Sequence, residues 1–84
     1  MEIKFFNAKW CGPCKQMKPH IDKLVSEGYS IQSIDIDDNP TLSESAEIRG
    51  VPTLTISENG SEVERMVGYE DYDRLKARID IYKK

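Results

Sequence analysis

An aromatic run of strand length that passes straight into a helical period, and from there into a second strand, restricts this chain more than any other feature. Ile3, Phe5 and Phe6 form a short apolar stretch ending at Asn7, which reads as a buried strand. From Cys14 onward Met17, Ile21, Leu24 and Val25 recur on one helical face, and Gly28 follows Glu27 where the residue just past a helix end is expected. The spacing therefore predicts a helix over about 12–27. Tyr29–Asp37 resumes a strand pattern, with Ile34 and Ile36 on one face and Ser33, Asp35 and Asp37 on the other. Two strands joined through a helix pair in parallel, by a right-handed crossover that lays the helix on one face of the sheet.

The remaining pattern extends this unit. Asn39-Pro40 and a capping box from Thr41 to Glu44 announce a short helix, with Leu42 and Ala46 expected inward and Arg49-Gly50 expected to end it. Thr53–Ser57 alternates through Leu54 and Ile56, Ser61–Val67 alternates through Val63 and Val67, and Asn59-Gly60 between them predicts a β-hairpin. Tyr72, Leu75, Ile79 and Tyr82 recur at helical spacing, with Glu70 and Asp71 at the front and Lys83 and Lys84 at the back, as the helix dipole favours. The expected fold is α/β, in the order βαβαββα, with a four-stranded mixed sheet flanked by helices. At 84 residues the chain has room for a single domain, 1–84, with one core and one site.

Composition removes several functions. With 38% hydrophobic and 32% charged residues, the chain has the balance of a soluble globular domain. A net charge of −3 without any long run of Lys or Arg gives no field for holding phosphate backbones, so nucleic acid is not an expected partner. Met1 leads directly into Glu2, Ile3 and Lys4, with neither a signal-peptide core nor a membrane-length apolar span. A cytoplasmic monomer that does not bind membranes is the expectation.

In that setting the two cysteines of Trp10-Cys11-Gly12-Pro13-Cys14 read as a reactive or metal-binding pair, because structural disulfides are unusual in reducing compartments. The pair falls where the first strand gives way to the first helix. Cys11 at a helix N-terminus meets unpaired N–H groups and the positive dipole end, which stabilise a thiolate. Cys14 lies about one turn on, within reach of Cys11 for a small disulfide ring, with Gly12 and Pro13 fixing the turn. Thiol exchange then follows: Cys11 attacks a disulfide, and Cys14 resolves the mixed disulfide. Two other readings stand beside this one. The pair could be inert core cysteines or a static disulfide, or half of a zinc site shared across a dimer; His20 is the only other Cys or His, so one chain cannot close a four-ligand site from these residues. His20 itself, opposite the apolar stripe, is expected to face solvent.

The run Trp10 to Cys14, with Lys15 and Pro19, resembles the active-site motif of thioredoxins. Asp35-Ile36-Asp37 with Asn39-Pro40, then Ile48 to Thr53, then Asn59-Gly60 and Gly68 resemble the later landmarks of that family in order, across nearly the whole chain. The resemblance implies a minimal, glutaredoxin-sized thioredoxin fold, beginning at what is the second strand of full-length members. It implies catalysis by Cys11 and Cys14, with no cofactor beyond their redox-active disulfide and no metal. It further implies a cis Val51–Pro52 bond, backbone pairing of Val51 with a substrate chain, and a docking patch of Trp10, Gly50, Val51, Pro52, Gly68 and Tyr69. The implied partners are disulfide-containing proteins and a reductase such as thioredoxin reductase. Glutathione is the alternative donor, if the chain is closer to glutaredoxins, although Gly12-Pro13 replaces their usual Pro-Tyr; a redox-silent binding module is a further alternative. One departure concerns mechanism. Phe5 and Ser33 stand where the family places a buried Asp and its Lys partner, so the usual proton acceptor for Cys14 is missing.

Overall fold

The computed structural model describes residues 1–83; Lys84, expected at the end of the last helix, lies outside them. The elements are β1 (Glu2–Asn7), α1 (Gly12–Ser26), β2 (Ile31–Asp35), α2 (Pro40–Ser45), β3 (Thr53–Glu58), β4 (Ser61–Val67) and α3 (Tyr72–Tyr82). They form one four-stranded sheet in the order β2-β1-β3-β4. β1 pairs in parallel with β2 and antiparallel with β3, and β3 and β4 form the hairpin. The mixed sheet is the expected one.

The alternation of side chains decides what each face buries. Phe5 stands opposite Leu54, and Ile3 opposite Ile56, so all four share the face that packs with Met17, Ile21 and Leu24 of α1 and Leu75 and Ile79 of α3. Phe6 points the other way, in register with Ile34 and Thr53, and is fully buried. The segment after α2 covers that second face, where Arg65, paired with Thr55, donates to the carbonyls of Ala46 and Glu47. β1 and β3 are therefore central and buried on both faces. In the β3–β4 turn, Asn59 and Gly60 hold φ of 52° and 84°, the positive values a two-residue primed turn requires.

The structure corrects several sequence expectations. β2 stops at Asp35 because the Asp35 carboxylate accepts the N–H groups of Asp37 and Asp38 and turns the chain. The Thr41–Glu44 capping box does not form; Pro40 takes the first helical position, which makes Asn39 the cap and places Thr41 inside the helix. Ser43, not Leu42 or Ala46, is the buried residue of α2, its hydroxyl donating to the Asn39 carbonyl at 2.9 Å. The helix also ends earlier, at Ser45, where Glu47 adopts a positive φ of 55° ahead of Arg49-Gly50. On β4 the inward residue is Met66, while Val63 and Val67 are exposed. A bulge pairs Ile56 with Glu64 but Ser57 with Glu62, leaving Val63 as the extra residue. Val67 lies on the face away from α1 and α3, where the six-residue α2 gives little cover. Val25 is likewise exposed, at the margin of the α1 stripe.

Candidate active site

The site is built by the sheet register. Phe6 at the end of β1 pairs with Thr53 at the start of β3, and Thr53 pairs with Val67 at the end of β4. The loop after β1, which carries Trp10 and Cys11, therefore leaves from the same sheet edge as Val51-Pro52 before β3 and Gly68 after β4. The Val51–Pro52 peptide is cis. Gly68, at φ 100°, donates its N–H to the Pro52 carbonyl at 2.8 Å, and the Thr53 hydroxyl donates to the Gly50 carbonyl at 2.7 Å. A side chain at position 68 would meet the strain of that positive φ. The predicted docking residues thus share one edge, and one hydrogen bond ties Gly68 to Pro52.

Cys11 is the N-cap of α1, with extended backbone, and its Sγ accepts the Cys14 N–H at 3.2 Å. A sulfur anion here gains that N–H and the positive end of a 15-residue helix, with no acidic residue in the first turn to oppose it. Pro13 occupies the first turn, where no N–H is needed. Cys11 and Cys14 are joined as a disulfide with Cα atoms 5.3 Å apart, an ordinary span for such a bond. Both are buried, at 4% and 3% exposure, whereas Trp10 beside them is 67% exposed. The Trp10 indole is held by its N–H, which donates to Asp37 at 2.8 Å. The turn that ends β2 early is what brings Asp37 to this edge.

Three residues at or near this edge are not legible as site residues in the sequence. Asp37 reads there as an outward strand residue. Arg65 belongs to no motif, yet its guanidinium grips Glu62 through two bonds of 2.8 Å and both carbonyls at the end of α2, fixing the segment that leads to Val51-Pro52. His20 is half-buried rather than solvent-facing. Its Nδ1 accepts the Tyr72 N–H at 3.1 Å, and its Nε2 lies 3.0 Å from the Tyr69 hydroxyl, so it ties the loop after Gly68 and the start of α3 to α1. Helical periodicity shows which face a histidine occupies, but not that a distant loop folds over it.

Beside Cys14, on the side of the sheet holding Phe5, lies an open pocket of about 430 Å³. Phe5, Asn7 and Ser33 line it, with exposed Lys9, Lys15 and Lys18 around it. Asn7 Nδ2 donates to the Ser33 hydroxyl at 2.9 Å and to the Phe5 carbonyl at 3.1 Å. Among the described residues, no group of three or more His, Cys, Asp or Glu is placed to hold a metal ion, and no helix is long and apolar enough to cross a membrane.

This architecture, with a cysteine pair at the first helix start, defines the chain as a dithiol protein of thioredoxin fold. It superposes on a single-site mutant of thioredoxin from Halobacterium salinarum with a TM-score of 0.89 and 38% identity, covering 98% of this chain and 74% of that one. The thioredoxin family model matches residues 3–81. Chlamydia trachomatis thioredoxin is 43% identical over 75 residues, which is 87% of this chain and 72% of that protein. The mouse mitochondrial thioredoxin is 39% identical over 75 residues, 86% of this chain but only 45% of its own length, so the chain spans less than half of that relative. The chain belongs to the thioredoxin family.

Proposed function

We propose that the protein is a thiol–disulfide oxidoreductase that reduces protein disulfides through a Cys11/Cys14 dithiol–disulfide couple. The observation that carries this reading is the Cys11–Cys14 disulfide at the start of α1, with Cys11 Sγ as the helix cap. In the reduced protein the Cys11 thiolate attacks one sulfur of a substrate disulfide, forming a mixed disulfide and releasing the first substrate thiolate. Cys14 then loses its proton and attacks Cys11 Sγ; the Cys11–substrate bond breaks, and the second substrate thiolate leaves. The substrate gains two electrons, and the protein is left with the disulfide.

Gly12 and Pro13 set the turn between the two sulfurs. Trp10, Gly50, Val51, Pro52 and Gly68 form the docking edge, and an extended substrate segment pairs with the backbone of Val51. Disulfide-containing proteins are the substrates, and a thioredoxin reductase regenerates the dithiol. No cofactor beyond the redox-active disulfide takes part. Residues 1–84 act as one domain and as a monomer in the cytoplasm, a reducing compartment where an exchange-active pair has its use.

Two observations favour a reductase over glutathione as donor: Gly12-Pro13 between the cysteines, and identities of 39% and 43% to relatives named thioredoxin. The test is to reduce the oxidised protein with NADPH plus thioredoxin reductase, or with glutathione, while following insulin reduction. Rapid turnover with the reductase and little with glutathione supports this reading. Preference for glutathione moves the protein to glutaredoxin-like chemistry, and no turnover with either leaves a redox-silent docking module.

A further inference from the structure

The resolving step needs Cys14 to lose a proton, although Cys14 is 3% exposed and Phe5 occupies the position of the family's buried acid. Asp35 is the carboxylate that β2 carries, but its Oδ1 is committed to the N–H groups of Asp37 and Asp38, and it does not line the pocket beside Cys14. That pocket offers another route. At about 430 Å³ it has ample room for water, and Cys14 forms part of its wall. Its polar wall is the Asn7–Ser33 pair. Asn7 Nδ2 is used in two bonds, to Phe5 and Ser33, which leaves Asn7 Oδ1 as an acceptor and the Ser33 hydroxyl hydrogen as a donor toward solvent. Lys18 is paired with Asp22 at 3.0 Å, and Lys9 and Lys15 add positive charge that favours a thiolate over a thiol.

We infer that this pocket is where Cys14 gives up its proton, to water held by Asn7 and Ser33, which act as positioning residues for the resolving step. The inference rests on the assignment of Cys14 as resolver. The Cys14 S–H bond breaks toward that water, the proton passes to bulk solvent, and the thiolate electron pair forms the bond to Cys11 Sγ as the substrate thiolate leaves. No oxidant or further base is required.

The test uses reduced full-length protein with one equivalent of a symmetric aryl disulfide that releases a coloured thiolate at each step. The first release reports attack by Cys11, and the second reports resolution by Cys14. Ser33→Thr and Ser33→Val have nearly the same shape and differ in the hydroxyl; both suit an exposed strand position. The second release should be about tenfold faster in the Thr variant than in the Val variant, a modest share of what general acid–base assistance supplies, with first-release rates equal. In the wild type the second release should rise with pH along a single thiol ionisation, and Asp35→Asn should leave that profile in place. A Thr-to-Val ratio within about twofold or reversed, or a carboxylate-type inflection lost in Asp35→Asn, overturns the inference. Failure of the underlying assignment reads differently: Cys11→Ser would then still give the first release.

Discussion

Replacing Arg65 with Met keeps most of its stem and removes the charge that joins β4 to the end of α2. The guanidinium makes two bonds to Glu62 and single bonds to the carbonyls of Glu47, at 3.0 Å, and Ala46, at 2.6 Å. The Glu62 pair is partly exposed, with side chains 29% and 38% accessible, and so contributes only about 0.2–1 kcal/mol. The two carbonyl bonds are charge-assisted, and each would be worth about 1.5–3 kcal/mol if dry; water can replace part of that. A loss of about 2 kcal/mol is therefore expected, which for a domain of this size lowers the melting temperature by roughly 8–16 °C. Because the freed segment leads to Val51-Pro52, KM for a protein disulfide should rise severalfold with kcat nearly unchanged. Glu62→Gln should cost less than about 1 kcal/mol, since the carbonyls still hold the guanidinium. Thermal melts of the three proteins, paired with insulin-reduction kinetics, decide the matter. A melting temperature for Arg65→Met within about 2 °C of wild type refutes the view that this residue anchors the loop.

Other outcomes follow from the same structure. His20→Ala removes the acceptor of the part-buried Tyr72 N–H, so the urea midpoint should fall by the equivalent of about 1–3 kcal/mol, and an unchanged midpoint contradicts the tie between α1 and α3. Three carboxylates are held below their ordinary range: Glu62 by its hydrogen bond from Arg65, Glu64 by those from Tyr82 and then Arg78, and Asp80 by those from Tyr29 and then Lys76. Depressed folded values mean that their stabilisation is present above the unfolded carboxylate pKa and is lost as pH falls through the folded one. The melting temperature should therefore drop below about pH 4, and the drop should be shallower in Tyr82→Phe; an acid limb of unchanged steepness in that variant contradicts the role given to Glu64.

The sheet, its hairpin and the cysteine placement could be read from sequence because each depends on local pattern: Phe5 and Leu54 on alternating strands, Asn59-Gly60 in a turn needing positive φ, and Cys11 at a helix start. What escaped the sequence depends on contacts distant along the chain. His20 reads as a solvent-facing helical residue until Tyr69 and Tyr72 fold over it, and Arg65 reads as a strand charge until the end of α2 lies beneath it. Val63 misleads because a single bulge residue inverts the apparent alternation of β4. The Thr41–Glu44 box misleads because Pro40 starts the helix two positions too early for Thr41 to cap it. Within the site, the absence of an acid at Phe5 was legible, but the pocket beside Cys14 was not, since it arises from the pairing of β1 with β2.

The proposed function stands on Cys11 as the nucleophile and Cys14 as the resolver, and covalent trapping puts that assignment to its sharpest test. Cys11→Ser and Cys14→Ser proteins are each incubated with an oxidised protein substrate, then quenched and weighed by mass spectrometry under non-reducing conditions. Cys14→Ser should accumulate a one-to-one mixed disulfide through Cys11, because the first bond forms and nothing resolves it. Cys11→Ser should accumulate none and show no insulin reduction. Trapping through Cys14 in the Cys11→Ser protein, with none in Cys14→Ser, would contradict the assignment.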